Sequence, residues 1–184
     1  PGTFTEEAAL RYDPQAESIP FPNVSAIASA VATGMADEGV VAIENSLEGS
    51  VTETLDVLIH ESPMLIRWEL VLPIEHCLLV KPGMQANQVK VVLSHPQALA
   101  QCRGFLERCF PKVQAVAALS TAAAVELMLA YAEPAAAIAT KRAAALYGAQ
   151  VLAQGIQDRQ ANVTRFVVLA HKDHPRTGYD RTSV

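Results

Sequence analysis

The sequence predicts an α/β fold in which buried strands alternate with helices. Several short runs consist almost entirely of apolar residues, and Ala-rich stretches with helical character lie between them. Continuous apolar runs of this length, without alternation, are typical of strands buried on both faces of a parallel sheet. Of the 184 residues, 51% are hydrophobic and only 18% are charged, a composition that excludes a disordered chain.

The individual elements follow from these runs. Strands in a parallel sheet are predicted at 40–43, 90–93, 113–116 and 135–139. Further strands are predicted at 70–72, 76–80 and 164–170, with antiparallel character between 68 and 80. Helices are predicted at 25–37, 96–109, 121–131 and 141–146, the last of which ends before Gly148.

Capping residues mark four of the predicted helix starts. Three have the form of a capping box, in which a hydroxyl and a Glu or Gln side chain satisfy N–H groups of the first turn. The four are Thr3-Phe4-Thr5-Glu6, Ser50-Val51-Thr52-Glu53, Ser94-His95-Pro96-Gln97 and, without the acidic partner, Ser120-Thr121. Helix N-termini collect at the carboxyl ends of strands in an open α/β sheet and favour anions. The sequence therefore predicts an anion-binding crevice, although each segment taken alone is also an ordinary cap.

Two breaks in the apolar pattern predict two lobes. Polar residues replace apolar ones at 73–77 and 153–162, and a strand is predicted on each side of both breaks. Such a double crossing divides the chain into a first lobe of 1–75 plus 159–184 and a second lobe of 76–158, with a cleft between them. The tail from 171 to 184 lacks apolar periodicity and is predicted to be a linker or a frayed end.

Charge and motif content exclude several classes of function. The net charge of −5 argues against nucleic acid or an acidic membrane surface as the main partner, and no apolar run approaches the roughly 18 residues of a membrane span. Dinucleotide, P-loop, zincin and α/β-hydrolase motifs are absent. Because the three cysteines and five histidines lack ligand spacing, we expect no metal, no cofactor and a reducing, cytoplasmic setting.

Four polar segments in apolar surroundings are the candidate site. They lie at 1–5, 44–50, 94–97 and 162–166. The segment 44–50 is the densest, with two carboxylates, an amide and two hydroxyls directly after a predicted buried strand. Each segment also has a structural interpretation, as a turn, a surface loop with a cap, a capped helix or a strand edge.

In order along the chain, six segments resemble the successive motifs of the prephenate dehydratase family. They are Gly2-Thr3-Phe4-Thr5, Ile43-Glu44-Asn45-Ser46-Leu47-Glu48-Gly49-Ser50-Val51, Ser94-His95-Pro96-Gln97-Ala98-Leu99-Ala100-Gln101-Cys102, Ser120-Thr121-Ala122-Ala123-Ala124, Tyr147-Gly148 and Asn162-Val163-Thr164-Arg165-Phe166. The resemblance implies two α/β lobes like those of type II periplasmic binding proteins, with the active site in the interlobe cleft. Family members also begin with a short strand ahead of the glycine turn and usually carry a C-terminal ACT domain that binds phenylalanine. Neither lies within these 184 residues, so we expect no feedback inhibition through that domain.

The activity that the resemblance implies is a carbon–oxygen lyase reaction of phenylalanine biosynthesis, which converts prephenate to phenylpyruvate, carbon dioxide and water. Thr164 would lie at the leaving hydroxyl. Because a Thr hydroxyl is a poor acid at neutral pH, we expect a hydrogen-bond donor or relay there, with Glu44 or Glu48 as the candidate carboxylic acid. The substrate-binding candidates are Thr3, Asn45, Ser46, Ser50, Ser94, Gln97, Thr121, Asn162, Arg165 and Phe166. Arg165 is the candidate cation for the side-chain carboxylate, or else a structural ion-pair partner.

Alternatives stay open at this point. Arogenate, which has an amino group in place of the keto oxygen, is a second candidate substrate. A non-catalytic solute-binding module would share the two-lobe architecture, and a purely structural fragment would result if the first lobe were incomplete without its first strand. A homo-oligomer, either a dimer or a tetramer, is expected because the Ala-rich helices offer packing surfaces.

Overall fold

The computed structural model describes residues 1–180, in which two β-sheets are flanked by helices. The helices are α1 (Phe4–Tyr12), α2 (Val24–Ala32), α3 (Thr52–Asp56), α4 (Pro96–Gln101), α5 (Arg103–Cys109), α6 (Thr121–Ala130) and α7 (Lys141–Tyr147). A π-helical turn at Val57–Glu61 and a 3-10 turn at Ala86–Gln88 add to these. The strands are β1 (Gly39–Asn45), β2 (Gly49–Ser50), β3 (Leu65–Pro73), β4 (Cys77–Val80), β5 (Val91–Ser94), β6 (Gln114–Ala117), β7 (Ala135–Ala139), β8 (Gln150–Ala153) and β9 (Val163–Ala170).

The first sheet is antiparallel and has the strand order β2-β1-β9-β3. On one face, Val41 and Val167 pack with Val31 of α2. On the other face, Phe166 and Leu72 pack with Ala8 of α1. The prediction of a parallel sheet was therefore wrong for the strand at 40–43. Its continuous apolar run reflects burial on two faces, and such burial does not depend on strand direction.

The second sheet has the strand order β6-β5-β7-β4-β8. Strands β6, β5 and β7 run parallel, as predicted, whereas β4 pairs antiparallel with both β7 and β8. Every residue of β4, β5 and β7 is buried, which accounts for their uninterrupted apolar sequences. Strand β8 was not predicted because it is short and begins with the exposed Gln150. The α/β fold class is confirmed.

The chain passes between the two sheets twice, at 74–76 and at 154–162. The crossings coincide with the two breaks in the sequence pattern. They are joined to each other, because the Ile74 N–H donates to the Asn162 carbonyl at 2.8 Å. In addition, the Ile156 N–H donates to the His76 carbonyl at 3.1 Å.

The tail after β9 has no helix or strand up to residue 180. His171 Nε2 lies 2.8 Å from the Val31 carbonyl oxygen. The His174 ring stands edge-on to Trp68 with centroids 6.3 Å apart. The last four residues of the predicted linker, 181–184, lie outside the described residues. Within the described part of the chain, none of the helices combines the length and hydrophobicity that a bilayer crossing needs.

The predicted helix starts are confirmed in part. Thr3 Oγ1 accepts from the Glu6 N–H at 3.2 Å, and Ser120 caps α6 by accepting from the Ala123 N–H at 3.0 Å. The capping box predicted from Ser94 was wrong, because at α4 the cap is His95, whose Nδ1 accepts from the Gln97 N–H at 3.3 Å. The capping box starting at Ser50 was wrong, because α3 begins after Val51 without a side-chain cap. Ser50 lies in β2 instead, where it pairs with Glu44.

The single helix predicted at 96–109 is two helices, which meet at Cys102. The second crossing explains the interruption. The Asp158 carboxylate accepts from the Gly104 N–H at 2.8 Å and from the Phe105 N–H at 3.1 Å, so it satisfies donors of the first turn of α5. A carboxylate also has a favourable interaction with the positive end of a helix dipole.

Replacement of Asp158 by Ala removes this cap. We expect Asp158→Ala to lower the free energy of unfolding by about 1 kcal/mol, the usual cost of losing a helix N-cap. Urea denaturation followed by circular dichroism measures the change. Asp158→Asn, which keeps one acceptor oxygen, serves as the control and should lose less. Equal stability of the Ala variant and the unchanged protein would contradict the capping role.

Candidate active site

Asn45, at the end of β1, organises a buried group of polar side chains. Its Oδ1 accepts from the backbone N–H of Leu47 at 2.9 Å and of Glu48 at 3.3 Å, so the turn after β1 fixes which way the amide faces. Its Nδ2 consequently points to β9 and donates at 2.9 Å to Asn162 Oδ1 and at 2.9 Å to Thr164 Oγ1. Asn45 and Thr164 face each other because their backbones are paired in the sheet.

The group continues from Asn162 into the elements of the second sheet. Asn162 is 1% exposed, and its Nδ2 donates to Gln101 Oε1 at 2.9 Å. Gln101, the last residue of α4, donates through Nε2 to Glu48 Oε1 at 2.8 Å. His76 Nε2 lies 2.9 Å from the same Gln101 Oε1. Thr164, Asn45, Asn162, Gln101, His76 and Glu48 are called the amide cluster below.

The direction of each hydrogen bond in the amide cluster is set by chemistry. Gln101 Oε1 is a carbonyl oxygen, so both of its partners must donate, and His76 therefore carries its proton on Nε2. At the other end, Thr164 Oγ1 accepts from Asn45, which leaves the Thr164 hydroxyl hydrogen to donate to a ligand. A hydroxyl that already accepts a hydrogen bond is a stronger donor because the bonds polarise each other.

His76 is neutral in this environment. Its side chain is 3% exposed, and burial lowers the pKa of the imidazole below its usual value, although the bond to Gln101 opposes this. His76 Nδ1 is buried without a hydrogen-bond partner. The ring stands edge-on to Phe4, with centroids 5.6 Å apart.

Glu44 and Arg165 lie on the opposite face of the first sheet. Successive residues of a strand point to opposite faces, so Arg165 points away from the face that carries Thr164. Its guanidinium donates to Glu44 at 2.8 Å and to Glu69 at 3.3 Å. Arg165 is therefore a structural ion-pair partner in this structure, and Glu44 is separated from the amide cluster by the sheet.

The other predicted site residues fall into three groups. Ser94 and Phe166 are buried: Ser94 Oγ donates to the Ile138 carbonyl at 2.6 Å, and Phe166 belongs to the core beneath α1. Ser46 holds the turn, where its Oγ accepts from the Val163 N–H at 3.0 Å. The third group lies at helix starts or in β2, outside the amide cluster, and comprises Thr3, Ser50, Gln97 and Thr121.

Two cavities lie near these residues. The smaller, of about 320 Å³, is lined by Leu47, Ala100, Gln101, Asp158 and Arg159 and so borders the amide cluster. The larger, of about 920 Å³, runs along α1 and the start of β1 and is lined by Thr3 and Ser120 among others. Among residues 1–180, no three His, Cys, Asp or Glu side chains are grouped so as to hold a metal ion.

Sequence reasoning did not single out Gln101 and His76. Gln101 stands within the segment that carried the resemblance, but no spacing rule separates it from Gln97 on the same predicted helix. His76 was assigned to a strand, where a lone histidine in an apolar run is most simply a core residue. One signal was present, because a buried polar residue needs a partner and the two breaks bring polar residues together.

Asn45→Asp tests whether the amide cluster depends on the Asn45 NH₂ group. The substitution keeps the shape, removes two buried donors and adds a carboxylate opposite Asn162 Oδ1. We expect it to lower the free energy of unfolding by about 3 kcal/mol. The neighbouring Glu44→Gln changes only a half-exposed ion pair and should cost less than about 1 kcal/mol. Chemical denaturation of both variants provides the comparison, and equal losses would refute the organising role of Asn45.

The sequence of this chain is similar to those of known proteins of one family. The family profile described as Prephenate dehydratase matches residues 1–174. Over 171 residues the chain is 43% identical to arogenate dehydratase 5, chloroplastic, of Arabidopsis thaliana, a match that covers 92% of this chain and 40% of that protein. Over 183 residues it is 43% identical to the bifunctional chorismate mutase/prephenate dehydratase of Aquifex aeolicus, covering 99% of this chain and 50% of that protein.

A solved structure extends this similarity to the fold. The prephenate dehydratase of Arthrobacter aurescens, solved in complex with L-Phe, superposes with a TM-score of 0.89 at 36% sequence identity. The match covers 96% of this chain and 60% of that one. The chain thus spans half or less of the curated relatives described above, but nearly all of it lies within the matched region. With the family profile spanning residues 1–174, the chain belongs to the prephenate dehydratase family.

Proposed function

We propose that this chain catalyses the decarboxylating dehydration of prephenate to phenylpyruvate. The observation that carries the proposal is the hydrogen bond from Asn45 Nδ2 to Thr164 Oγ1, which leaves the Thr164 hydroxyl as a polarised donor. Family membership supports the same reaction, and relatives named for prephenate and for arogenate are both similar to this chain.

The reaction requires one proton and no redox change. The bond from the ring to its carboxylate breaks and releases carbon dioxide, and the electron pair moves into the ring. The bond from the ring to the hydroxyl group then breaks, and the departing oxygen takes up a proton to leave as water. The ring becomes aromatic. A protein accelerates this sequence by stabilising the departing oxygen more strongly than the intact hydroxyl group.

In the proposed mechanism the Thr164 hydroxyl donates a hydrogen bond to the departing oxygen, and the proton that this oxygen takes up comes from a carboxyl group. Asn45 supports this by occupying the acceptor side of Thr164 Oγ1. The groups of the amide cluster nearest to Thr164, Asn45 and Asn162, are uncharged. The absence of charge on these two side chains also favours the reaction. A ring carboxylate that must lose its charge is not held back by a cation, so the transition state gains relative to bound substrate.

Of the two carboxyl groups considered as the proton source, we propose Glu48. Its Oε1 lies 2.8 Å from Gln101 Nε2, at the edge of the amide cluster. Glu44 is not proposed, because its carboxylate pairs with Arg165 on the far face of the sheet. For the same reason the substrate's retained carboxylate is not assigned to Arg165. We assign it instead to N–H and hydroxyl donors at helix starts, for which Thr3 and Thr121 are the candidates.

Arogenate is the second candidate substrate, and the 43% identity to arogenate dehydratase 5 favours it. Its amino group calls for an acceptor or a carboxylate where prephenate has a keto oxygen. Measurement of kcat/KM for both compounds with the same preparation decides between them. If neither compound is converted but one binds, the solute-binding alternative replaces the enzyme proposal.

The two-lobe organisation also belongs to the proposal. We propose lobes of 1–75 plus 159–184 and 76–158, with substrate held between them. Gln101 supports this, since it bonds to Asn162 and Glu48 from a helix of the second sheet. Limited proteolysis with and without prephenate tests the division, because a ligand held between the lobes should protect the crossings at 74–76 and 154–162.

For assembly and location we propose a homo-oligomer in a reducing compartment such as the cytoplasm. Leu127 of α6 and Leu146 of α7 are each 47% exposed, and they support a contact between subunits. All three cysteines are free, two of them buried, as expected in a reducing environment. Light scattering of the purified protein gives the number of subunits.

Thr164→Val separates the hydroxyl from the shape of the side chain. We expect kcat for prephenate to fall by about 10²-fold, with KM changed by less than about threefold, because the lost interaction belongs to the transition state. Absorbance of phenylpyruvate under steady-state conditions provides both constants. Thr164→Ser, which keeps the hydroxyl, should retain most of the activity. An unchanged kcat in the Val variant removes Thr164 from the mechanism.

Glu48→Gln and Glu44→Gln form a matched pair that tests the proton source. We expect Glu48→Gln to lower kcat by about 10²-fold and to remove the fall in activity that deprotonation of a general acid causes as the pH rises, because the Gln side chain has no carboxyl proton to donate. Glu44→Gln should keep the profile of the unchanged protein. The reverse pattern would show that the proton arrives from the other face of the sheet and would overturn this part of the proposal.

A further inference from the structure

We propose that His76 is a positioning residue for this reaction, which holds the Gln101 amide in the orientation that accepts from Asn162 and donates to Glu48, the proposed proton source. The inference rests on the proposed function and deepens it. His76 touches neither Thr164 nor Asn45 and acts through Gln101 and Asn162. It stands at the first crossing, directly before β4, and is 3% exposed.

The ring of His76 is held in place from several sides. The backbone N–H of His76 donates to Gln157 Oε1 at 3.0 Å, and its carbonyl accepts from the Ile156 N–H at 3.1 Å. Phe4 packs edge-on against the ring. Both crossings and α1 therefore contribute to the position of one imidazole. A ring held in this way can fix the orientation of a neighbouring side chain that rotates more freely.

Gln101 is this neighbouring side chain, and its terminal amide can in principle adopt either of two orientations. With Oε1 toward His76 and Asn162, it receives two hydrogen bonds of 2.9 Å and donates to Glu48 at 2.8 Å. A reversed amide would set its NH₂ against two N–H donors and its oxygen against a carboxylate. The His76 N–H is thus one of two donors that hold the orientation.

The orientation of Gln101 matters because its amide connects Asn162, a hydrogen-bond partner of Asn45, with Glu48. Gln101 Oε1 draws Asn162 Nδ2, which turns Asn162 Oδ1 toward Asn45 Nδ2. Asn45 in turn donates to Thr164 Oγ1. Without His76, Gln101 Oε1 keeps only the donor from Asn162, so the amide that donates to Glu48 is held less firmly.

The state of His76 argues against simple core filling. Its Nδ1 is buried without a partner, a cost that an apolar side chain of similar size would avoid. A phenylalanine would keep the contact with Phe4 and fill the same space. The imidazole has one property that such a replacement lacks, namely the Nε2 proton directed at Gln101.

A double-mutant cycle tests whether His76 acts through Gln101. We expect His76→Phe to lower kcat/KM about tenfold, as for the loss of one hydrogen bond. In a Gln101→Leu background the same change should have less than about a twofold effect, since the partner is already gone. His76→Gln, which offers an N–H near the Nε2 position, should recover most of the activity. If the two substitutions multiply independently, or if Gln fails to rescue, the inference is overturned.

A second measurement does not depend on turnover or on the stability of variants. In ¹⁵N-labelled unchanged protein, NMR of the histidine rings should find His76 neutral, with a slowly exchanging proton on Nε2 and none on Nδ1. The Nδ1–H form would reverse the hydrogen-bond directions and overturn the inference, whatever the activity. If the unchanged protein converts neither prephenate nor arogenate, the proposed function fails. The NMR result then still decides whether His76 orients Gln101.

Discussion

The arrangement of the site depends on the hydrogen bonds of the Asn45 side-chain amide. The backbone N–H groups of Leu47 and Glu48 donate to its oxygen, so its NH₂ group faces β9. That single constraint determines the direction of the hydrogen bonds to Asn162 and Thr164. The turn after β1 therefore determines, through Asn45, that Thr164 Oγ1 accepts a hydrogen bond and that its own hydrogen is left to donate. An amide suits such a buried group because it offers both a donor and an acceptor, and in this cluster His76 Nδ1 is left without a partner.

The first sheet separates the ion pairs of Arg165 from Asn45 and Thr164. Arg165 follows Thr164 directly in sequence, yet it lies with Glu44 and Glu69 on the other face. The two faces of β9 thus differ at this end of the sheet: the buried, uncharged Asn45 and Thr164 lie on one face, and half-exposed ion pairs lie on the other. An ion pair at this exposure contributes little to stability.

Much of the architecture could be predicted from the sequence, and the exceptions have physical reasons. Strands β5 and β7 were found because burial on both faces leaves them apolar apart from Ser94 at the end of β5, but the same pattern hid the antiparallel pairing of β1. The segments around Asn45 and Thr164 were recognised as site candidates. Strand alternation alone would have separated Thr164 from Arg165. The contribution of Gln101 could not be foreseen, since it depends on α4 ending at that residue and on a crossing some 60 positions away.

The contacts of Gln101 have a consequence for movement of the two sheets. This residue belongs to a helix packed on the second sheet, yet it bonds to Glu48 and Asn162, which flank strands of the first. Gln101 also lines the cavity of about 320 Å³ beside Leu47, so a movement that separates the two sheets at this cavity breaks the bonds of Gln101 to Glu48 and Asn162.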